Sequence, residues 1–282
     1  MASDASAEHE VQPQTLQEWL PHRALRPFVS CVWAQRVAAC SDVYRHRTAP
    51  DGSVELVCQA GKLASVVGPQ RTPSEKLLPP GAVVVGVRFR PGAAPAILGL
   101  PASELAGLTI GADELWGSSS AELAERVAGS TSRQAAVSAL ETAVLSQLTE
   151  ARPLDELVAE LVRRVHVGGA HSITEIASSL RVSMRQLRRR CEAAVGLGPK
   201  ELQRIARFQR FLLLAEHHRA HSGASLASLA LRVGYADQAH LSRESVRLTG
   251  SSPRELLLAS ERHCHGVHDH AASRSQLFGT PA

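Results

Sequence analysis

Arg185, Arg188 and Arg189 place three guanidinium groups within five residues. At helical spacing these positions share one face, while Leu187 and Cys191 point away from it. A guanidinium fork matches the O6 and N7 acceptors of guanine two at a time. A second group, Gln238, Ala239, His240, Ser242 and Arg243, occupies the corresponding face farther along the chain. A glutamine amide suits adenine, an alanine methyl can touch the thymine methyl, and His240 fits either base. The chemistry on offer is recognition of base edges, not bond-making. Each arginine is equally suited to a phosphate oxygen, which would position the protein without specifying sequence. Arg190, next in the run, is better placed for phosphate or solvent.

Two repeated units must hold these groups. The heptapeptide Gly-x-x-Pro-(Lys/Arg)-Glu-Leu occurs as Gly196 to Leu202 and again, 54 positions later, as Gly250 to Leu256. At that offset Ser183 aligns with Asp237, Leu187 with Leu241 and Arg189 with Arg243. Upstream the offset is 53, pairing Ile173 with Leu226, Ile176 with Leu229, Ala177 with Ala230 and Leu180 with Val233. One residue has therefore been added in the second turn. Such self-similarity marks one structural unit used twice. Ser172-x-x-Glu175 and Ser183-x-x-Gln186 have the form of capping boxes, and apolar residues at helical spacing follow. Two short helices and a tight turn, the second helix basic, form a helix-turn-helix. In the second unit Ser225 opens a helix, Gly234 suits the left-handed position after it, and Asp237 caps Gln238 to Val246. Pro199 to His218 carries Leu202, Ile205, Ala206, Phe208, Leu212 and Leu213, which predicts one longer connecting helix.

This pattern resembles the DNA-binding domain of AraC/XylS-type transcriptional regulators. The strongest likeness lies in the run from Arg232 through Val233, Gly234, Tyr235 and Asp237 to Arg243, followed by Thr249-Gly-Ser-Ser-Pro253. The resemblance implies two helix-turn-helices bridged by a long helix, and double-stranded DNA as partner. It also implies that Arg189 and Arg243 serve structure in part. Such regulators usually have Phe where this chain has Cys191, Leu241 and Ser245, and often Tyr at Leu202. The smaller Cys191 and Ser245 imply looser packing beneath both recognition helices. One monomer is expected to cover two major-groove segments one helical turn, ~34 Å, apart. RNA polymerase and a small-molecule effector are the further partners to expect, and monomer and homodimer both remain open.

Residues 171–259 hold 14 Lys and Arg against 7 Asp and Glu, whereas the remainder holds 17 against 20. The positive balance therefore sits in the repeat, as a polyanion partner requires. At 282 residues the chain has room for two domains. No run approaches the ~18 apolar residues of a membrane span. The N-terminus lacks a basic-then-apolar leader pattern, so a cytoplasmic location is expected. The five cysteines are unclustered and without Cys-x-x-Cys, as for reduced thiols. No cofactor and no metal are expected.

Residues 1–120 have a different texture. Phe28 to Val37, Val43 to Thr48, Val54 to Val57, Ala64 to Val67 and Val83 to Phe89 are β-rich runs separated by Pro/Gly turns. They predict a small, cupin-like barrel or sandwich, with short helices over Pro95 to Leu100 and Pro101 to Leu108. The whole chain is thus expected to be α+β, with an all-α C-terminal domain. Pro50 to Leu56, Gly86 to Gly92 and Asp113 to Gly117 resemble the uncharacterised N-terminal domain of one subgroup of these regulators, which implies a sensor. His46, Asp51, Glu55 and Arg88 are the only clustered polar candidates for catalysis, and they lack nucleophile–base spacing. No enzyme is expected. Arg88 and Arg90 alternate with Val87 and Phe89, so both should point one way. Lining a barrel they would pair an anionic effector; facing solvent, the favoured reading, they are surface.

Residues 121–150 are expected to form a helical linker, with a stripe of Val137, Leu140, Val144, Leu145 and Leu148 that would pack on its own domain or a second copy. Residues 151–260 are expected to form the DNA-binding domain, opening with a helix after Pro153. Residues 261–282 are expected to be a disordered tail. His263, Cys264, His265, His268 and His270 there are metal-ligand types in a polar stretch without helical pattern. The rival classes are a small-molecule-modifying enzyme fused to a DNA-binding domain and an interaction module that no longer grips DNA.

Overall fold

The computed structural model describes residues 14–168, 172–221 and 225–263. The N-terminal unit contains β1 (Gln14–Trp19), β2 (Val29–Val37), β3 (Tyr44–Thr48), β4 (Glu55–Gln59), β5 (Ser65–Val67), β6 (Ser74–Leu78), β7 (Val83–Phe89) and β8 (Thr109–Gly111). All pairings are antiparallel. Six strands form one sheet in the order β1-β2-β7-β4-β5-β8, and β3 pairs with β6 as a separate hairpin. The five strands legible in sequence are β2, β3, β4, β5 and β7. The other three escaped because β1 and β6 are polar, half-exposed edges and β8 has only three residues.

Alternation divides the sheet into two faces. Val32 and Ala34, Val85 and Val87, and Leu56 and Cys58 enter the larger core, beneath helices. These helices are α1 (Ala94–Leu98), α2 (Ala102–Leu105), α3 (Asp113–Trp116), α4 (Ser118–Ala128) and α5 (Arg133–Ser146). The stripe expected on a linker belongs here. Val137, Leu140 and Val144 are buried in this core, and Leu145 and Leu148 pack at its margin. Packing on its own domain, one of the two readings of the stripe, has a simple cause: an apolar stripe on a fourteen-residue helix finds the open sheet face beside it. The other sheet face carries Cys31, Trp33 and Val84 in a smaller core shared with Leu78 of the hairpin. Trp33 lies flat over Gly86 in the paired strand; a Cβ at Gly86 would sit 2.2 Å from the indole.

The C-terminal unit is all helix: α6 (Glu156–Val167), α7 (Ile173–Ser179), α8 (Met184–Val195), α9 (Pro199–His221), α10 (Leu226–Arg232), α11 (Gln238–Thr249) and α12 (Pro253–His263). Its core is centred on α9, whose Leu202, Ile205, Phe208 and Phe211 are fully buried. Burial of each such side chain stabilises by roughly 1.5–3 kcal/mol. The chain as a whole is α+β. Cys264, His265, His268 and His270 lie outside the described residues.

The two units meet at α8 and α9. Gly196 ends α8 at φ 77°, and a Cβ there would lie 2.5 Å from Pro69 Cγ and 2.7 Å from the Ala102 carbonyl oxygen. Arg71 donates to the Gly196 carbonyl at 3.4 Å and pairs with Glu201 at 3.2 Å. Deeper in, Gln209 Nε2 of α9 donates to the Pro50 carbonyl at 2.6 Å in a buried bond.

Candidate nucleic-acid interface

Each helix-turn-helix is set by local bonds that recur at the repeat offset. In the first, α7 and α8 both begin with complete capping boxes, Ser172 with Glu175 and Ser183 with Gln186. Each such cap contributes about 1 kcal/mol. In the second, Ser225 and Asp237 cap α10 and α11. The turns match as well. Val182 N–H donates to Ala177 at 3.1 Å and Tyr235 N–H to Ala230 at 3.0 Å. The left-handed residue before each is Arg181, φ 55°, and Gly234, φ 88°. The added residue of the second turn is therefore Ala236, between Tyr235 and the Asp237 cap.

The two small residues beneath the recognition helices are bonded rather than loose. Cys191 Sγ donates to the Leu197 carbonyl at 3.2 Å, and Ser245 Oγ donates to the Ser251 carbonyl at 2.8 Å. Cys191 and Ser245 are repeat-equivalent, and so are their acceptors. Both are fully buried, and burial pushes the Cys191 thiol up to about 12, so it remains a protonated donor. Each side chain ties its helix to the loop of the heptapeptide signature, where Gly196 and Gly250 take φ 77° and 75°. A small polar side chain thus fixes the loop where a larger ring would fill space.

The outward faces hold the sequence-nominated residues. Arg185, Arg188 and Arg189 on α8 are exposed, with Leu187 and Cys191 fully buried beneath them. Arg188 donates to Glu192 at 2.8 Å, one turn on, and this partner raises its pKa. Arg190 has a partner within the protein. It reaches Asp155 Oδ2 at 2.8 Å and Oδ1 at 2.5 Å, while Asp155 also caps α6 by accepting from Val158 N–H. Burial raises the Asp155 pKa, but the Arg190 and Val158 bonds outweigh it and hold the carboxyl below its ordinary value. Arg190 is a strut between α8 and α6, invisible in sequence because its partner lies 35 residues upstream.

On α11, Gln238, Ala239 and Arg243 are exposed, and His240 and Ser242 are half-buried. His240 accepts weakly from Ala236 N–H at 3.5 Å and meets the buried Tyr235 ring edge-on at 5.1 Å. Arg207 of α9 lies over the same Tyr235 ring, 5.6 Å from its centroid. Glu244 faces inward and pairs with Arg204 of α9 at 3.0 Å, which fixes α11 on the connecting helix. Sequence reasoning passed over Arg181, an exposed cation in the first turn. Its alignment with Gly234 at offset 53 was the available signal.

Arg88 and Arg90 part company. Arg88 lies among Glu55, at 2.7 Å, and Asp51 and Glu18, both at 3.5 Å. Arg90, just past the strand, donates instead to the Arg26 carbonyl at 2.8 Å. Among the described residues there is no group of three His, Cys, Asp or Glu that could hold a metal, and no helix long and apolar enough to cross a membrane.

Comparison with known proteins agrees with this division. Residues 176–258 match a helix-turn-helix domain family, and residues 17–111 match a domain of unknown function, DUF6597. No curated protein matches the sequence. Solved structures similar to the chain include ToxT from Vibrio cholerae at 13% identity and a TM-score of 0.43, covering 80% of this chain and 98% of that one. Another is unsaturated-fatty-acid-bound ToxT of the same organism, at 12% identity and a TM-score of 0.40, covering 87% and 94%. With paired recognition helices on a basic segment, this chain is a DNA-binding transcription regulator that joins a β-rich domain of unknown function to a C-terminal helix-turn-helix domain of the AraC type.

Proposed function

We propose that this regulator reads two consecutive major-groove segments of one duplex. Arg185, Arg188 and Arg189 serve one segment, and Gln238, Ala239, His240, Ser242 and Arg243 the other. The observation that carries this reading is the repetition of cap, left-handed turn, closing glycine and side-chain-to-carbonyl bond in both units. Two elements built alike present their outward faces by the same geometry. Arg185 and Arg189 have no ion-pair partner among the described residues, so Arg185 and then Arg188, which can exchange Glu192 for a base, are the first-unit readers of choice. The shallower His240 and Ser242 contribute less than Gln238. One copy carries both elements, so a monomer suffices, acting in the cytoplasm with RNA polymerase as its further partner. The N-terminal domain makes the regulator responsive to a small effector, because it is seated directly on α8 and α9.

Selection of bound sequences from a random DNA pool by purified protein tests the reading. Arg185→Ala should relax one base position and cost on the order of 1–3 kcal/mol, roughly 5- to 150-fold in affinity. A loss uniform across all sequences would make Arg185 a phosphate contact instead.

A further inference from the structure

Arg181 is the one residue other than glycine with a positive φ among the described residues, at 55°. It stands just past α7, where its N–H donates to the Ser178 carbonyl at 3.0 Å and the next N–H, of Val182, donates back to Ala177 at 3.1 Å. This pair of bonds needs a left-handed residue between helix and turn, a place that glycine ordinarily fills because it has no Cβ to clash. The second unit follows that rule: Gly234, at φ 88°, precedes the matching bond from Tyr235 to Ala230. The first unit keeps an arginine there against the backbone's preference. Strain retained where the repeat itself shows the relaxed solution points to a use for the side chain.

The fold makes no use of it. Arg181 is exposed, and its guanidinium has no hydrogen bond or ion pair among the described residues. The cations around it are engaged. Arg163 and Arg164 of α6 share Glu160, and Arg164 also donates to Ser179, two residues before Arg181. Glu175, the nearest carboxylate in sequence, accepts from its own Ser172 N–H at 2.7 Å. Location narrows what the guanidinium can meet. Ser183, two residues on, caps α8, so Arg181 stands beside the end of the recognition helix that carries Arg185. That end is the one that enters a major groove. Side chains on the helix are aimed at base edges, whereas one on the turn ahead of the cap stands outside the helix, at the rim where the phosphates run.

We infer that Arg181 is a phosphate contact that seats the first recognition helix at the edge of its groove. Its role is positioning: it adds affinity on any sequence and leaves the choice of bases to Arg185 and Arg188. This rests on the reading of α8 as a groove-entering helix. The first unit thereby has an anchor that Gly234 cannot supply to the second.

The test measures binding of the full-length protein to its selected DNA site and to an unrelated duplex between about 50 and 200 mM salt. Wild type is compared with Arg181→Gly, Arg181→Lys and Arg163→Gln. Glycine suits the turn, so Arg181→Gly should fold and melt no lower than the wild type. It should nonetheless bind both duplexes about tenfold more weakly at the low salt and about threefold at the high, because one phosphate contact fewer lowers the slope of log affinity against log salt by about 0.9. Arg181→Lys keeps the charge and should keep the slope. Arg163→Gln removes an exposed cation that is already paired with Glu160 and should leave the slope unchanged. An unaltered slope in Arg181→Gly, a slope lost in Arg181→Lys, an equal loss in Arg163→Gln, a loss confined to one base position, or a lower melting midpoint in Arg181→Gly would each overturn the contact. The two readings fail separately. A wild type whose affinity ignores salt refutes DNA binding itself. Salt-dependent binding in which Arg185→Ala shifts the preferred sequence while Arg181→Gly changes nothing refutes this contact alone.

Discussion

Gly196 and Gly250 occupy the same place in the two repeats, and replacing each by alanine separates the cost of the turn from the cost of the domain contact. Both residues are left-handed, at φ 77° and 75°, so each substitution meets the same backbone penalty, about 1–2 kcal/mol. Their surroundings differ. A Cβ at Gly250 meets nothing within 4 Å, whereas one at Gly196 lies 2.5 Å from Pro69 Cγ and 2.7 Å from the Ala102 carbonyl oxygen. Ala102 is fixed by its own helix and cannot retreat as a flexible side chain would. Overpacking of this kind costs a further 1–3 kcal/mol or so. For a chain of this size about 1 kcal/mol moves the unfolding midpoint roughly 2–4 °C, so Gly196→Ala should melt about 2–12 °C below Gly250→Ala. Thermal unfolding followed by circular dichroism reads the difference. Midpoints that coincide would mean that the end of α8 is not seated on the N-terminal domain, and the direct route from effector domain to first recognition helix would fall.

Three other outcomes follow from the same contacts. Arg181→Gly should raise the unfolding midpoint by about 1–3 °C, because a left-handed arginine is replaced by the residue its repeat partner Gly234 already uses; a lower midpoint would show that the guanidinium contributes more than the backbone strain costs. Arg190→Ala should lose about 0.5–1 kcal/mol of stability in urea unfolding yet leave the preferred DNA sequence unchanged, and an altered sequence preference would make Arg190 a base reader. His166 is 2% exposed and burial lowers its pKa from 6.5 to about 4, so the folded protein keeps it neutral while the unfolded chain takes up a proton below 6.5. Its contribution, on the order of 3 kcal/mol, is therefore present above pH 6.5 and is lost as pH falls toward 4. Urea unfolding at pH 7.5 and pH 5 should show about 2 kcal/mol of that loss in the wild type and a smaller loss in His166→Leu; equal losses would assign the acid sensitivity elsewhere.

What could be read without coordinates was whatever is local. Capping boxes, the Gly234 turn and the closing glycines depend on contacts within six residues, and both helix-turn-helices were legible down to the inserted position. The β-branched strands were equally plain. Tertiary contacts were not. The Asp155 partner of Arg190, the Pro69 and Ala102 surface that receives Gly196, and the backing of the α5 stripe by the sheet arise only when distant segments pack. The N-terminal cluster lies between these cases. His46, Asp51, Glu55 and Arg88 stood out as the clustered polar residues of that half, but Glu18 joins them only through the register of β1 with β2 and of β2 with β7. The expectation of loose packing at Cys191 and Ser245 erred because it weighed volume alone and not the carbonyl each side chain reaches.

The most direct test of the account is hydroxyl-radical and methylation footprinting of one protein molecule on its selected DNA site, wild type beside Arg185→Ala and Gln238→Ala. Two protected major-groove patches centred about 10–10.5 base pairs apart are expected, with each substitution weakening a different patch. A single patch, or two patches that fade together whichever residue is changed, would contradict the claim that the two recognition helices read successive turns of one duplex.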